Sequence, residues 1–178
     1  MSKLDLKNHI RTVPDFPEAG IMYRDITTLL SHSEALKQSI EELAATYRDL
    51  NVDVVAGIDA RGFIFGTAVA LDLGVGFVPI RKKGKLPFKT YEQDYQLEYG
   101  TDTLQIHADA VTKGQRVLVI DDLIATGGTA EAAIKLLQRT ECEIIGAAFV
   151  IDLPDLGGAK AIESLGVSVT SLIAFSGH

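Results

Sequence analysis

The sequence predicts an α/β fold: a mainly parallel, twisted sheet flanked by helices. Three observations predict it. Short apolar runs of strand length alternate with amphipathic runs of helical period through most of the chain. The run Val117, Leu118, Val119, Ile120 is apolar throughout, as a strand buried on both faces must be. Charged residues gather at the carboxyl ends of the predicted strands: Asp59 and Arg61, Arg81 and Lys82, Asp121 and Asp122, Asp152. Open sheets of this class bind ligands beyond those ends. At 178 residues the chain is long enough for one domain, 1–178, with a full core.

Each element follows from its local pattern. Residues 4–12 predict a short amphipathic helix. The stretch 13–30 is rich in turn residues and then turns apolar. Over 34–50, Leu36, Ile40, Leu43, Ala44 and Tyr47 share one helical face, with Ser33 as the expected N-cap and Glu34 in the first turn. A strand is predicted at 52–58, a helix at 61–71 and a strand at 76–80. The basic stretch 81–90 precedes two paired strands, 90–99 and 101–111, which turn at Gly100 and Thr101. The strand 117–122 leads to a helix near 129–139 and a strand at 143–152. A helix near 157–165 and a last strand at 167–173 complete the order.

Composition excludes several classes. The formal charge of −7 argues against nonspecific binding to nucleic acid or to an anionic membrane. No apolar run reaches transmembrane length. The opening MSKLDLKNHI holds no long apolar region, so no secretory leader is expected. Cys142 is the only cysteine, which rules out an intrachain disulfide and suits a reducing, cytoplasmic compartment. Its neighbours Glu141 and Glu143 disfavour a thiolate, so a structural thiol is expected. His9, His32, His107 and His178 show no metal-ligand spacing.

Three segments carry chemistry. In VLVIDDLIATGGT (117–129), Asp121 and Asp122 close the strand, and Ala125, Thr126, Gly127, Gly128 and Thr129 form a small-residue turn into a helix. Backbone N–H groups of such a turn converge on an anion, and the helix N-terminus adds positive partial charge. A sugar phosphate suits both halves: phosphate in the turn, hydroxyls on the acids. The segment is neither a P-loop nor a dinucleotide fingerprint, since Gly-Lys-Ser/Thr and GxGxxG are both lacking. In GIDARGF (57–63), Arg61 stands at a strand-to-helix junction, either reaching an anion or simply paired with Asp59. In 81–89, Arg81, Lys82, Lys83, Lys85 and Lys89 concentrate positive charge in an acidic protein, with Gly84 as a hinge. That stretch is either a solvated loop or a loop that closes over an anionic leaving group. In 15–30, Phe16, Ile21, Met22 and Tyr23 either pack simply or form an apolar lid over a flat base.

Taken together, PDFPEAGIMYRDIT, ARGFIFG, RKKGKLP, LEYGTDTLQIH and VLVIDDLIATGGT occur in order along nearly the whole chain. They resemble the adenine phosphoribosyltransferase family of type I phosphoribosyltransferases. The resemblance implies a small N-terminal hood (1–30), a mobile basic loop and β-arm (81–111), and a homodimer. It implies a purine-salvage transferase that joins adenine to the 5-phosphoribosyl group of phosphoribosyl pyrophosphate, giving AMP and pyrophosphate, with Mg²⁺ bound mainly through the substrate. By the same resemblance, Ala125, Thr126, Gly127, Gly128 and Thr129 wrap the 5′-phosphate, and Asp121 and Asp122 hold the ribose hydroxyls and orient Mg²⁺. Arg61 contacts pyrophosphate, joined on closure by Arg81, Lys82 and Lys85. Met22, Arg24 (through its backbone) and Leu153 line the adenine pocket. Glu98 and Tyr99 sit on the closing arm, Glu98 being the candidate for taking the purine proton.

Departures from relatives sharpen this expectation. Hypoxanthine-guanine enzymes of the superfamily carry an Asp where this chain has Ala125, so 6-oxopurines are expected to be poor substrates. Tyr23 and Asp152 replace the Phe and Glu of many members, which touches pocket geometry only. Uracil enzymes of the superfamily have Pro where this chain has Asp122. A repressor of the same fold needs an added basic DNA-binding module, and residues 1–30 are too short for one.

Overall fold

The computed structural model describes residues 2–97 and 99–177. A 3-10 turn at Leu6–His9, capped by the Asp5 carboxylate accepting from Lys7 N–H, opens the hood. Strands β1 (Arg11–Pro14) and β2 (Met22–Asp25) then pair antiparallel. The short helix α1 (Thr27–Leu30) and the helix α2 (Ser33–Ala45) follow. The amphipathic helix expected over 4–12 is therefore a turn and a strand. Leu6 and Ile10 anchor the turn in the core, and Arg11 is drawn into the β1–β2 ribbon opposite Asp25. Its guanidinium also pairs with the Asp25 carboxylate at 2.5 Å.

Among the described residues, seven further strands form one sheet. They are β3 (Val54–Ile58), β4 (Gly76–Lys82), β5 (Thr90–Gln96), β6 (Thr101–His107), β7 (Arg116–Ile124), β8 (Glu143–Asp152) and β9 (Val169–Ala174). Helices α3 (Arg61–Leu73), α4 (Gly128–Gln138) and α5 (Gly158–Glu163) lie between them. The order is β5-β6-β4-β3-β7-β8-β9, parallel from β4 to β9, with β6 antiparallel to both β4 and β5. The expected mainly parallel sheet is thus present, and the paired arm strands form one edge of it.

The strands at the centre bury both faces, which explains their unbroken apolar runs. Val54, Ala56 and Ile58 of β3 and Val117 and Val119 of β7 pack with α4 residues such as Ile134 and Leu137. Val55, Leu118 and Ile120 point the other way, onto Leu43 of α2 and Phe65 and Val69 of α3. The predicted face of α2 is the buried one, but its cap is His32, not Ser33. His32 backbone is extended, and its Nδ1 accepts the Ala35 N–H at 3.2 Å, so Ser33 becomes the first helical residue. Helix α3 runs on to Leu73, where Gly74 at φ 71° ends it. The Cys142 thiol pKa is pushed up, as expected, but by burial rather than by its acidic neighbours. No helix among the described residues is long and apolar enough to cross a membrane.

Candidate active site

The carboxyl ends of β3, β4 and β7 converge on a pocket of about 550 Å³. Asp59 and Arg61 reach it from the end of β3, Lys82 from β4 and Lys85 from the loop after it, and Asp121, Asp122 and the whole turn Ala125–Thr129 from β7. β7 runs through Ile124, so the two acids lie within the strand and not at its last residue. The sheet thus carries the acids into the pocket wall on a rigid backbone.

The turn is built from close backbone contact. Gly127 has φ 91°, a left-handed conformation that favours glycine, and α4 starts at the next residue with no side-chain cap. Its first amide groups remain free to donate to an anion. Gly158, at the start of α5, donates its N–H to the Ala125 carbonyl at 3.0 Å. A Cβ at Gly158 would overlap that carbonyl and come within 2.8 Å of Gly127 N. Two glycines from distant segments therefore lock the turn. Gly62 serves similarly at the start of α3, where a Cβ would lie 2.9 Å from Asp121 Oδ1.

Ion pairs organise the charged side. Arg61 Nε donates to Asp122 Oδ2 at 2.5 Å, and Asp122 is buried. Burial works against the Arg61 charge, but the Asp122 carboxylate outweighs it and raises the guanidinium pKa further. Burial, and next the Asp122 charge, push the Asp121 pKa well above the usual carboxylate range. Asp121 Oδ1 accepts the Asp122 N–H at 2.8 Å. The alternative pairing of Arg61 with Asp59 does not occur. Asp59 instead receives Arg81 Nε at 3.2 Å and Lys85 Nζ at 3.5 Å. Arg81 also lies over the Phe63 ring at 5.6 Å and is not among the pocket-lining residues. Lys82 Nζ pairs with Asp102 Oδ2 at 2.5 Å.

A second compartment of about 580 Å³ adjoins the first and shares Arg61, Leu123, Ala125 and Thr126 with it. Its other walls are Glu18–Arg24 from the hood and Leu153 and Leu156 after β8. Met22, Arg24 and Leu153, which the resemblance groups together, all line it. The Arg24 side chain donates to Thr12 Oγ1 at 2.6 Å and stacks over Phe175 at 4.3 Å. Asp152, next to Leu153, is raised in pKa by burial and then by Glu163. Phe16 and Tyr23 meet edge to face at 5.1 Å in the hood, so this segment both packs and forms a wall.

Known proteins resemble this chain over nearly its whole length. The family described as "Phosphoribosyl transferase domain" matches residues 27–173. The adenine phosphoribosyltransferase of Maricaulis maris is 57% identical over 174 residues, covering 98% of this chain and 99% of that protein. That of Beijerinckia indica is 58% identical over 175 residues, covering 98% of each. The chain belongs to the adenine phosphoribosyltransferase family. The crystal structure of the Rhodothermus marinus adenine phosphoribosyltransferase superposes with a TM-score of 0.89 at 50% identity, covering 96% of each chain. The Giardia lamblia one, complexed with 9-deazaadenine, gives 0.92 at 35% identity, covering 98% of this chain and 97% of that one.

Within this adenine phosphoribosyltransferase fold, sequence reading missed some residues. Tyr95 of β5 is buried and lines the first pocket. Leu123 and Leu156 line the second, beside Ile21, which the sequence offers as part of a lid. Gly158 holds the turn from a segment that looks like an ordinary helix start. Its only signal was the pair Gly157-Gly158. Tyr99 is exposed at the arm tip and lines neither compartment. Glu98 lies outside the described residues.

Proposed function

We propose that the first compartment takes phosphoribosyl pyrophosphate and the second takes adenine. The chain transfers the 5-phosphoribosyl group to adenine and releases AMP and pyrophosphate, a step of purine salvage. One observation carries the assignment of compartments. A polar pocket with an anion-binding turn shares a wall with a more apolar one lined by Ile21, Met22, Tyr23, Leu153 and Leu156, so a sugar held between them faces both.

The reaction is a displacement at the anomeric carbon. The bond from C1 to the purine nitrogen N9 forms as the bond from C1 to the pyrophosphate oxygen breaks. The electron pair leaves with pyrophosphate, and the N9 proton passes to a base. The transition state has oxocarbenium character, as in glycoside hydrolysis. Fixing sugar and base in line supplies a large share of the rate, roughly 7–11 kcal/mol in favourable cases. The turn 125–129 holds the 5′-phosphate. Asp122, held in place by Arg61, and Asp121 receive the ribose hydroxyls. Arg61, Lys82 and Lys85 face the charge that develops on the leaving group, and Arg81 joins them from its place on Asp59. Glu98 remains the candidate proton acceptor, and Tyr99 follows it in the sequence.

Mg²⁺ suits this donor set. Among the described residues no cluster of three metal-ligating side chains exists, while Asp59, Asp121 and Asp122 all line the pocket. Mg²⁺ is commonly held by one or two carboxylates together with substrate phosphates. When bound, it neutralises pyrophosphate charge.

Ala125 stands in the wall common to both compartments and offers no acid to a 6-oxopurine ring. In this reading adenine's exocyclic amine instead donates to a backbone carbonyl, and a site built around that amine discriminates against 6-oxopurines. A homodimer belongs to this reading: Ile64 and Leu71, two turns apart on α3, are exposed apolar residues on one face. A cytoplasmic setting agrees with the single reduced cysteine.

The test is product formation from phosphoribosyl pyrophosphate and Mg²⁺, with adenine, hypoxanthine, guanine and uracil supplied separately. AMP from adenine, with little product from the others, is the expected result. Preference for another base would overturn the pocket assignment and leave the superfamily chemistry. Binding of the sugar pyrophosphate without turnover of any base would favour a sensor.

A further inference from the structure

The β5–β6 edge brings three side chains of different strands to one point. Tyr95 and Asp102 are direct cross-strand partners on β5 and β6. Lys82 of β4 pairs with Leu104 of β6, two residues along. The Lys82 ammonium donates to Asp102 Oδ2 at 2.5 Å, and the Tyr95 hydroxyl donates to the same oxygen at 3.2 Å. The other carboxylate oxygen, Oδ1, accepts the Thr103 N–H at 2.8 Å. Both Asp102 oxygens are therefore fixed, one by the backbone and one by the two side chains. Lys82 and Tyr95 line the pocket, whereas Asp102 does not.

We propose that Asp102, with Tyr95, is a positioning pair that holds the Lys82 ammonium at the wall of the pyrophosphate pocket. The proposal rests on the functional reading above. A lysine ammonium carries three donors on a flexible four-carbon stem. Asp102 takes one donor and fixes the stem. Two donors remain for a pyrophosphate oxygen, and less rotamer freedom is lost when that oxygen arrives. The hydrogen bond to Asp102 raises the Lys82 pKa, and Lys82 lowers that of Asp102, so both partners stay charged at neutral pH. Tyr95 adds a second donor to Asp102, so the carboxylate stays fixed if the ammonium turns toward substrate.

The proposal separates from two rivals by sign and by coupling. If Asp102 merely competes with pyrophosphate for Lys82, its removal tightens pyrophosphate binding. If it merely supports the arm, its removal acts equally with and without Lys82. The experiment is steady-state kinetics on the full chain for the wild type, Asp102→Ala, Lys82→Ala and the double variant. Pyrophosphate binding with Mg²⁺ is measured on each by calorimetry. Asp102→Ala is expected to raise the KM for phosphoribosyl pyrophosphate and weaken pyrophosphate binding about five- to tenfold, the scale of one charge-assisted contact. The KM for adenine stays within about twofold, on the same scale. The double variant should match Lys82→Ala alone. Tyr95→Phe should show a smaller shift in the same direction, and Asp102→Asn keeps the shape if the alanine variant folds poorly. Tighter pyrophosphate binding, an unchanged KM, or an equal loss in the Lys82→Ala background would each overturn the proposal. A wild-type protein that binds pyrophosphate but turns over no adenine would overturn the functional reading instead, and the calorimetric comparison still decides the role of Asp102.

Discussion

The turn 125–129 and the loop 81–89 flank the same pocket and are held by different forces. The turn is fixed by backbone: a left-handed Gly127, the Gly158-to-Ala125 hydrogen bond, and a glycine contact that leaves no room for a Cβ. The loop is fixed by side chains. Arg81 and Lys85 lean on Asp59, Lys82 on Asp102, and Lys83 on Glu92 at 3.3 Å. The turn's parts cannot be exchanged without strain, whereas the loop's lysines are about half exposed or more and can change partners at lower cost: an exposed pair such as Lys83 with Glu92 contributes only about 0.2–1 kcal/mol, and Asp59, the buried carboxylate, keeps Arg81 when Lys85 moves. On the proposed reading, the phosphate that stays with the product meets the rigid region, and the pyrophosphate that must leave meets the adjustable one.

The largest expected effect lies on the rigid side. Asp122→Asn removes the carboxylate that the proposed reading sets against the ribose and weakens its pair with Arg61, so kcat/KM should fall on the order of 100-fold, as for loss of one preorganised electrostatic partner. Its far-UV circular dichroism should remain that of the wild type. Near-normal turnover would remove Asp122 from the site. Gly158→Ala comes next and tests whether glycine contact holds the turn. Overpacking of this kind costs about 1–3 kcal/mol, readable from urea unfolding, and should raise the KM for phosphoribosyl pyrophosphate as the turn shifts. Lys83→Ala is the matched control on the loop, with stability within about 0.5 kcal/mol of wild type. Equal losses in these two variants would erase the contrast between the regions.

How legible each region was in the sequence follows from the same contrast. The turn is contiguous, so its strand, acids, glycines and helix read directly from 117–129. The alternation of elements also read correctly, because the central strands are buried on both faces and their apolar runs are unbroken. Long-range pairings did not read. Nothing local says that Arg61 pairs with Asp122, 61 residues away, rather than with Asp59 two residues away. Gly158 touches the turn only because α5 folds back beneath it. The hood misled for a related reason. Leu6 and Ile10 have helical spacing, but pairing of β1 with β2 decided the backbone after Ile10.

Lys85→Ala sharpens the contrast from the loop side. It should raise the KM for phosphoribosyl pyrophosphate and for pyrophosphate in the reverse reaction several-fold, about 1 kcal/mol per contact. Thermal stability should stay put, because the Lys85 side chain is about half exposed in its pair with Asp59. Unchanged kinetics in both directions would make the loop a solvated surface.

The smallest effect is a difference of sign with pH. Asp121, beside the turn, has its pKa raised by burial, while Asp102, on the arm, has its pKa lowered by Lys82. A raised acid binds more protons folded than unfolded, so it costs stability as pH rises above the ordinary value of 3.8. A lowered acid does the reverse: its contribution is complete above 3.8 and is lost as pH falls through its folded pKa. Asp121→Asn should therefore be more stable than wild type at neutral pH while losing activity, with the gap closing on acidification below 3.8. Asp102→Asn should be slightly less stable at neutral pH, by about 0.2–1 kcal/mol for so exposed a pair, and its gap should also close in acid. Unfolding midpoints measured for both variants across pH decide the matter. The same sign of gap at neutral pH for both would mean that burial does not distinguish the acid beside the turn from the acid on the arm.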